Sequence, residues 1–436
     1  MSMPIVAIVG QPNVGKSSLF NRFMKKKVAV VDSEPGVTRD RNYGVCEWNG
    51  RKFRLVDTGG IVPESKDVIE RAILEQSEFA IAEADLILLV VDTQLSFDNT
   101  DIRIARSILK AERPCILVAN KADSDKLELD IYEFLKLGLG EPLPVSATVG
   151  RGIGELLDTV VAKLPPLSGE EHEEGVIRVA LVGRPNVGKS SYINKILGEN
   201  RLIVSPVAGT TRDSVDTPFE FEGRKYILID TAGLRRKYKV VENIEFYTSL
   251  RAEKAIEDCD VAIVMIDATD LVTTQDQRIL SQVLEYRRAA ILAINKWDLV
   301  EKDGFTADEF SLEIKDRLAR FSYLPIIYIS ALTGKRVNKV MELVDTVYQN
   351  YQRKIATSVL NDFLIEIFAK RKPPAHKGKF IQLKYITQTE IAPPTFVIFA
   401  NRPDLLDKAY INYINNQFRS RFDFEGVPIR IKFRDK

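Results

Sequence analysis

The chain has 436 residues, 45% hydrophobic and 28% charged, a balance that suits about two to four globular domains, each with its own core. Its net charge of +1 conceals a basic end: residues 351–436 carry 16 Lys and Arg against 8 Asp and Glu, so the remainder is mildly acidic. No apolar run approaches the roughly 20 residues that span a bilayer, and Cys46, Cys115 and Cys259 show no paired spacing.

In chain order, short apolar runs predict buried strands at Pro4–Val9, Phe53–Val56, Leu86–Val91, Cys115–Ala119 and Leu143–Val145, with helices at Ser17–Lys25 and Ile153–Lys163. This strand–helix alternation predicts a doubly wound, mainly parallel α/β sheet over residues 1–164. Residues 165–175, rich in Pro, Gly and acids, read as an exposed linker. The alternation returns over 176–351, with strands at Arg178–Val182, Lys225–Ile229, Val261–Ile266, Ala290–Ile294 and Pro325–Ile329. Residues 352–436 read differently: helix Ser358–Lys370, strand Lys379–Tyr385, strand Thr395–Phe399, helix Leu405–Arg421 and strand Pro428–Lys432, a small α+β module. Its basic balance points either to a polyanion or to a solvated surface. A strand and glycine-rich loop within the first residues leave no room for a signal peptide, so a cytoplasmic protein is expected.

Four motifs occur in the same order twice. Gly10-Gln11-Pro12-Asn13-Val14-Gly15-Lys16-Ser17 recurs as Gly183-Arg184-Pro185-Asn186-Val187-Gly188-Lys189-Ser190, and Asp57-Thr58-Gly59-Gly60 as Asp230-Thr231-Ala232-Gly233, both 173 residues on. Asn120-Lys121-Ala122-Asp123 recurs as Asn295-Lys296-Trp297-Asp298, and Ser146-Ala147 as Ser330-Ala331. Repetition of the whole set excludes coincidence and implies a tandem guanine-nucleotide hydrolase.

Each residue type has a physical role. The glycines of GxxxxGK[ST] let backbone N–H groups converge on phosphate, Lys16 and Lys189 neutralise the β- and γ-phosphates, and a helix N-terminus adds its dipole. Ser17 and Ser190 offer hydroxyls to Mg²⁺. Asp57 and Asp230, each ending an apolar strand, hold the ion through water, while Gly60 and Gly233 let an N–H approach the γ-phosphate. Thr38 and Thr211, between the first two motifs of each copy, can ligate Mg²⁺ and sense the γ-phosphate, which makes their loops switches. The Asp123 and Asp298 carboxylates can accept both N1–H and N2–H of guanine, a donor pair that adenine lacks. Asn120 and Asn295 can tie base loop to phosphate loop, and the Ser-Ala pairs can donate a backbone N–H to guanine O6.

Where many such enzymes place a glutamine after DxxG, this chain has Ile61 and Leu234, which cannot orient water. Histidine-base chemistry is not expected, since His172 and His376 stand in loop-like stretches. Asn13 and Asn186 either hold a monovalent cation (K⁺) beside the developing charge or brace the loop.

With these motifs the chain resembles the Der (EngA) family of bacterial double-GTPase ribosome-assembly factors over essentially its whole length. The specific matches are GxPNVGKS in both copies, Gly36-Val37-Thr38-Arg39-Asp40, Asp57-Thr58-Gly59-Gly60, Tyr385-Ile386-Thr387-Gln388, Pro393-Pro394-Thr395-Phe396, Asn401 and Phe424-Glu425-Gly426-Val427-Pro428-Ile429. The resemblance implies GTP/GDP and Mg²⁺ as ligands, cation-stimulated hydrolysis, a KH-like third domain, and nucleotide-dependent binding to the large ribosomal subunit. A monomer with no DNA or membrane partner is expected. Gln11 departs from the arginine usual there, which Arg184 keeps, and Leu95-Ser96 and Leu271-Val272 replace a common glycine. KH domains grip RNA through a GxxG loop, which residues 351–436 lack. RNA contact would therefore run through Lys370, Arg371, Lys372, Lys377 and Lys379, and packing against the G domains is the alternative. Two rival functions stay open: a GTP-sensing scaffold with negligible turnover, and a GTPase tied to tRNA modification.

Overall fold

The computed structural model describes residues 3–25, 43–58, 66–123, 130–165, 175–199, 216–231, 242–270, 272–300, 306–374 and 380–435. Thr38, Gly59, Gly60, Ile61, Thr211, Ala232, Gly233, Leu234, His172, His376, Lys377, Lys379 and most of the linker lie outside the described residues. The chain divides into two compact units, Met1–Glu170 with Lys239–Lys254, and Glu171–Tyr238 with Ala255–Lys436.

The first unit runs β1 (Ile5–Val9), α1 (Lys16–Lys25), β2 (Tyr43–Trp48), β3 (Arg51–Asp57), α2 (Lys66–Glu83), β4 (Leu86–Asp92), α3 (Asn99–Ala111), β5 (Cys115–Asn120), a 3₁₀ turn at Asp130–Leu137, β6 (Leu143–Pro144) and α4 (Ile153–Lys163). Its sheet has the order β2-β3-β1-β4-β5-β6, parallel except for the β2–β3 pair. Every residue of β1 and β4 is buried, which is why these strands are unbroken apolar runs: helices cover both faces of a parallel sheet. One face packs Leu19, Phe23, Leu156 and Val160, and the other Ile81, Ile104 and Ile108. Leu250 is buried in this second core, Arg251 pairs with Glu83, and Lys254 lies 3.8 Å from Asp85. The α3 helix starts with a reciprocal capping box between Asp98 and Asp101.

In the second unit the same topology returns: β7 (Val176–Val182), α5 (Lys189–Glu199), β8 (Thr217–Phe221), β9 (Arg224–Ile229), α6 (Glu242–Asp258, divided between the units), β10 (Val261–Asp267), α7 (Thr274–Glu285), β11 (Ala289–Asn295), α8 (Thr306–Arg317), β12 (Ile326–Tyr328) and α9 (Val337–Tyr351). The strand order β12-β11-β10-β7-β9-β8 reads, from its other edge, as that of the first sheet. There follow α10 (Thr357–Lys370), β13 (Leu383–Glu390), β14 (Thr395–Ala400), α11 (Lys408–Phe422) and β15 (Arg430–Asp435). In this last sheet β14 pairs antiparallel with β13 and parallel with β15.

The C-terminal module shares its core with the second sheet. Phe363, Phe396, Phe418, Phe422 and Phe424 stack at centroid distances of 4.5–6.1 Å, and they are continuous with Val340, Val344 and Val347 of α9. The loop before β15 docks by backbone bonds: Gly426 N–H donates to the Tyr323 carbonyl and Ala290 N–H to the Gly426 carbonyl, both at 2.8 Å. The Arg419 guanidinium lies 4.0 Å from the Tyr323 ring centre, close enough for a cation–π contact. Among the described residues no helix is long and apolar enough to cross a membrane.

Candidate functional site

Both phosphate loops lie at the carboxyl ends of the parallel strands, between β1 and α1 and between β7 and α5, the edge where open α/β sheets bind ligands. Their shape demands glycine. At Gly10 (φ +144°) a Cβ would strike the Val90 carbonyl oxygen, and at Gly15 (φ +94°) the Asn120 amide nitrogen. Gly183 and Gly188 meet the same obstacles, Met265 O and Asn295 Nδ2. Asn13 (φ 64°) and Asn186 (φ 63°) occupy the left-handed region, which asparagine tolerates better than most side chains.

Lys16 is buried, and its Nζ donates to the carbonyl oxygens of Gly10 (2.8 Å) and Gln11 (2.6 Å). Burial lowers its pKa to about 8 against the opposing pull of Asp57 and Asp101. Lys189 Nζ donates to Gly183 O and Arg184 O at 2.6 Å each, and burial likewise lowers it to about 8, opposed by Asp276. A desolvated ammonium held by neutral carbonyls, in a cradle that any Cβ would fill, fits a phosphate anion. The Ser17 hydroxyl donates to Asp57 Oδ2 at 2.7 Å, so the two groups expected to hold Mg²⁺ stand side by side. Thr58 Oγ1 donates to Ile8 O at 2.9 Å, whereas in the second copy Thr231 Oγ1 pairs with Thr217 Oγ1 at 2.6 Å. Asp230 N–H donates to Asp216 Oδ1 at 3.1 Å.

The base loops are tied directly to the phosphate loops. Asn120 Nδ2 donates to Val14 O at 2.8 Å while its Oδ1 accepts from Ala147 N–H at 3.0 Å. Asn295 repeats this with Val187 O (2.7 Å) and Ala331 N–H (2.9 Å). Asp123 and Asp298 are exposed beside buried Ala122 and Trp297, so their carboxylates are presented at the rim. Trp297 is held by Tyr328 and Phe310 at ring distances of 4.3 and 5.2 Å. The Ser146 and Ser330 hydroxyls accept from Val149 N–H and Thr333 N–H at 3.1 Å, fixing the last loop of each copy. Ser146 N–H donates to Arg151 O, and Ala147 N–H is engaged by Asn120. Donation from Ala147 N–H to a guanine oxygen therefore requires sharing that proton with Asn120.

Two further pairs were not singled out from the motifs. Lys121 and Lys296, both with positive φ, bridge to Asp92 and Asp267 at 2.5 Å. Burial opposes the charge on Asp267, but hydrogen bonds from Lys296 and Thr269 outweigh it and hold the carboxyl below its ordinary pKa. A signal existed in the sequence: each aspartate ends an apolar strand, at the same 175-residue offset as the NKxD motifs. The other pair, Asp101 and Asp276, reaches back to the phosphate loops from α3 and α7; nothing in its local sequence marks it beyond helix capping.

Two phosphate loops, each stitched to its own base loop on a parallel sheet, define a tandem P-loop guanine-nucleotide-binding protein. Residues 5–121 and 178–296 match a family model described as "50S ribosome-binding GTPase", and residues 354–434 one described as "KH-domain-like of EngA bacterial GTPase enzymes, C-terminal". The chain is 51% identical to GTPase Der of Caldanaerobacter subterraneus subsp. tengcongensis and 50% identical to that of Pelotomaculum thermopropionicum, in each case over 100% of this chain and 99% of the relative. It is 46% identical to GTPase Der of Clostridium novyi over the full length of both. The chain belongs to the GTPase Der (EngA) family: a GTP-binding GTPase of two P-loop domains followed by a KH-like domain.

Proposed function

We propose that this protein hydrolyses GTP to GDP and phosphate at both sites and acts in maturation of the large (50S) ribosomal subunit, its nucleotide state setting domain arrangement and ribosome affinity. The observation that carries the nucleotide part is the asparagine tie, made in both copies within 0.1 Å of the same lengths. The matched description "50S ribosome-binding GTPase" supports the partner, and the basic C-terminal region suits rRNA phosphates. The domains are proposed at 1–164, 176–351 and 352–436, and the protein as a cytoplasmic monomer.

On this reading Lys16 and Lys189 hold the phosphates, and Ser17, Thr38, Asp57, Ser190, Thr211 and Asp230 hold Mg²⁺, which neutralises charge building on the phosphate oxygens. Asp123 and Asp298 select guanine. With Ile61 and Leu234 in place of a water-orienting glutamine, intrinsic turnover is slow, and Asn13 and Asn186 hold K⁺ that stimulates it. Turnover measured in potassium and in sodium tests this: equal rates leave both asparagines as braces of the left-handed turn.

The ribosomal part is tested by sedimentation with purified subunits in GDP, GTP and a non-hydrolysable analogue. Nucleotide-dependent association with the large subunit, lost in Lys16→Ala or Lys189→Ala, is expected. No association in any state would overturn it.

A further inference from the structure

The two phosphate loops are anchored by different charges. In the second copy Arg184 donates from Nε to Asp276 Oδ1 at 3.1 Å and from Nη2 to Asp270 Oδ2 at 3.2 Å. Asp276 is fully buried, and its other oxygen accepts from the Thr273 backbone N–H (2.9 Å) and hydroxyl (2.7 Å). Both oxygens of that carboxylate are therefore met, one of them by a full positive charge.

In the first copy Gln11 stands at the same place. Its Nε2 donates to Asp98 Oδ1 at 2.7 Å and to Asp101 Oδ2 at 2.6 Å. Asp101 is only 4% exposed, and its Oδ1 is buried with no hydrogen-bond partner among the described residues. The residue capping the helix is also an acid here, Asp98, where the second copy uses the neutral Thr273. Two carboxylates thus share one neutral amide beneath the first loop, whereas an arginine joins the two beneath the second.

We propose that the residue at the second position of each phosphate loop and the buried aspartate behind it, Gln11 with Asp101 and Arg184 with Asp276, form a positioning pair that makes the two sites unequal: the first binds nucleotide with uptake of a proton at Asp101, the second without. The reasoning is electrostatic. A buried carboxylate that lacks a cationic hydrogen-bond partner and leaves one oxygen unmet is costly, and burial already pushes the Asp101 carboxyl above its ordinary range. Among the described residues, burial is opposed by the hydrogen bonds that Asp101 accepts from the Asp98 backbone N–H and the Gln11 amide; the Asp98 charge on its own cap disfavours ionisation, and Lys16 at the start of α1 favours it. Phosphates arriving beside Lys16 add negative charge and compete for that ammonium, so Asp101 holds its proton more tightly in the complex. By linkage, affinity at the first site rises as pH falls, while Arg184 keeps Asp276 compensated.

This inference rests on nucleotide binding at both sites, and the test separates the two claims. GDP is titrated calorimetrically into the full-length Lys189→Ala chain, which reports the first site, and into Lys16→Ala, which reports the second. Each titration is made at about pH 5.5 and 7.5 in buffers of different ionisation heat. The ionisation of GDP itself is common to both sites and cancels in the comparison. Expected is an affinity gain on acidification about three- to tenfold larger at the first site, with extra proton uptake. Adding Gln11→Arg should abolish that excess, and Arg184→Gln should transfer it to the second site. Both substitutions install a residue that the other copy already carries in the same loop, so both variants are expected to fold. Equal pH profiles at the two sites, or a first-site profile unchanged by Gln11→Arg, would overturn the proposal. GDP bound by neither site would overturn the nucleotide reading itself.

Discussion

Asn120 Nδ2 donates to the carbonyl oxygen of Val14 at 2.8 Å, joining the base loop to the phosphate loop across 106 residues of chain. Because Oδ1 of the same amide accepts from Ala147 N–H, one side chain holds three loops in register. Asn120→Ala orphans a buried carbonyl and a buried N–H, each costing about 1–3 kcal/mol. The expected outcome is at least a tenfold loss (about 1.4 kcal/mol) of GDP affinity at the first site and a lower melting temperature, with the second site unchanged. Calorimetric titration and a thermal melt check it; an unaltered Kd would mean that the loops hold register without the bond.

Gly15→Ala and Gly188→Ala attack the same junction from the other side. The added methyl collides with the Asn120 or Asn295 amide, at φ values of +94° and +100° that favour glycine. Each substitution should abolish nucleotide binding at its own site and leave the other intact, as read by titrating GDP into each variant.

Base selection predicts a swap. Asp123→Asn replaces an acceptor-only carboxylate with an amide that can donate to a carbonyl, so a base with oxygen at C2 should gain where guanine loses. GDP affinity at the first site should fall by about 100-fold or more, with xanthosine diphosphate the better competitor. Asp298→Asn should do the same at the second site. Unchanged preference would remove these carboxylates from base recognition.

The C-terminal module should control the second site. Gly426, at φ +76°, accepts from Ala290 N–H at the start of β11, whose far end carries Asn295. A Cβ at Gly426 meets the Val347 side chain and the Ala290 carbonyl oxygen at 3.1 Å. Gly426→Ala should destabilise the second unit by about 1–3 kcal/mol and weaken GDP binding there. A melt combined with second-site titration checks both; lost stability with intact affinity would confine the effect to packing.

Burial pushes the Cys46 and Cys259 thiols up to about 12, against an ordinary value near 9. The folded state therefore keeps these protons where the unfolded chain releases them. The corresponding stability is fully present below about pH 9 and declines as pH rises from there towards 12. In the native protein neither thiol should react with a disulfide reagent at about pH 8, and denaturant should expose both. Rapid labelling of the native chain would contradict their burial.

Central strands were legible because buried parallel strands are continuous apolar runs: Leu86–Val91 was expected and Leu86–Asp92 found, Val261–Ile266 expected and Val261–Asp267 found. The edge strands β2 and β8 were not read from sequence. Tyr43–Trp48 contains a glycine and a glutamate and Thr217–Phe221 a proline, and only antiparallel pairing with β3 and β9 makes strands of them. β13 was expected to end at Tyr385 but runs from Leu383 to Glu390. Its polar Thr387-Gln388-Thr389 segment lacks the apolar run that marks a strand, and it is held in one by pairing of Thr387 and Gln388 with Val397 and Phe396 of β14.

The four motifs and the class of protein were legible in the amino-acid order alone, because phosphate- and base-binding motifs are residue types at fixed spacing within single loops, and those spacings recur in both copies. Which loops touch was settled by the tertiary structure. Val14 meets Asn120 and Gln11 meets Asp101 at the carboxyl ends of the strands, and Gly426 meets Ala290 at the opposite end of β11, only because the fold brings distant segments together. The motifs show Gln11 where the second copy has Arg184, but not the buried aspartate that each one meets. The structure buries one carboxylate beside a neutral amide and its counterpart beside an arginine, and burial is a property of the packed chain.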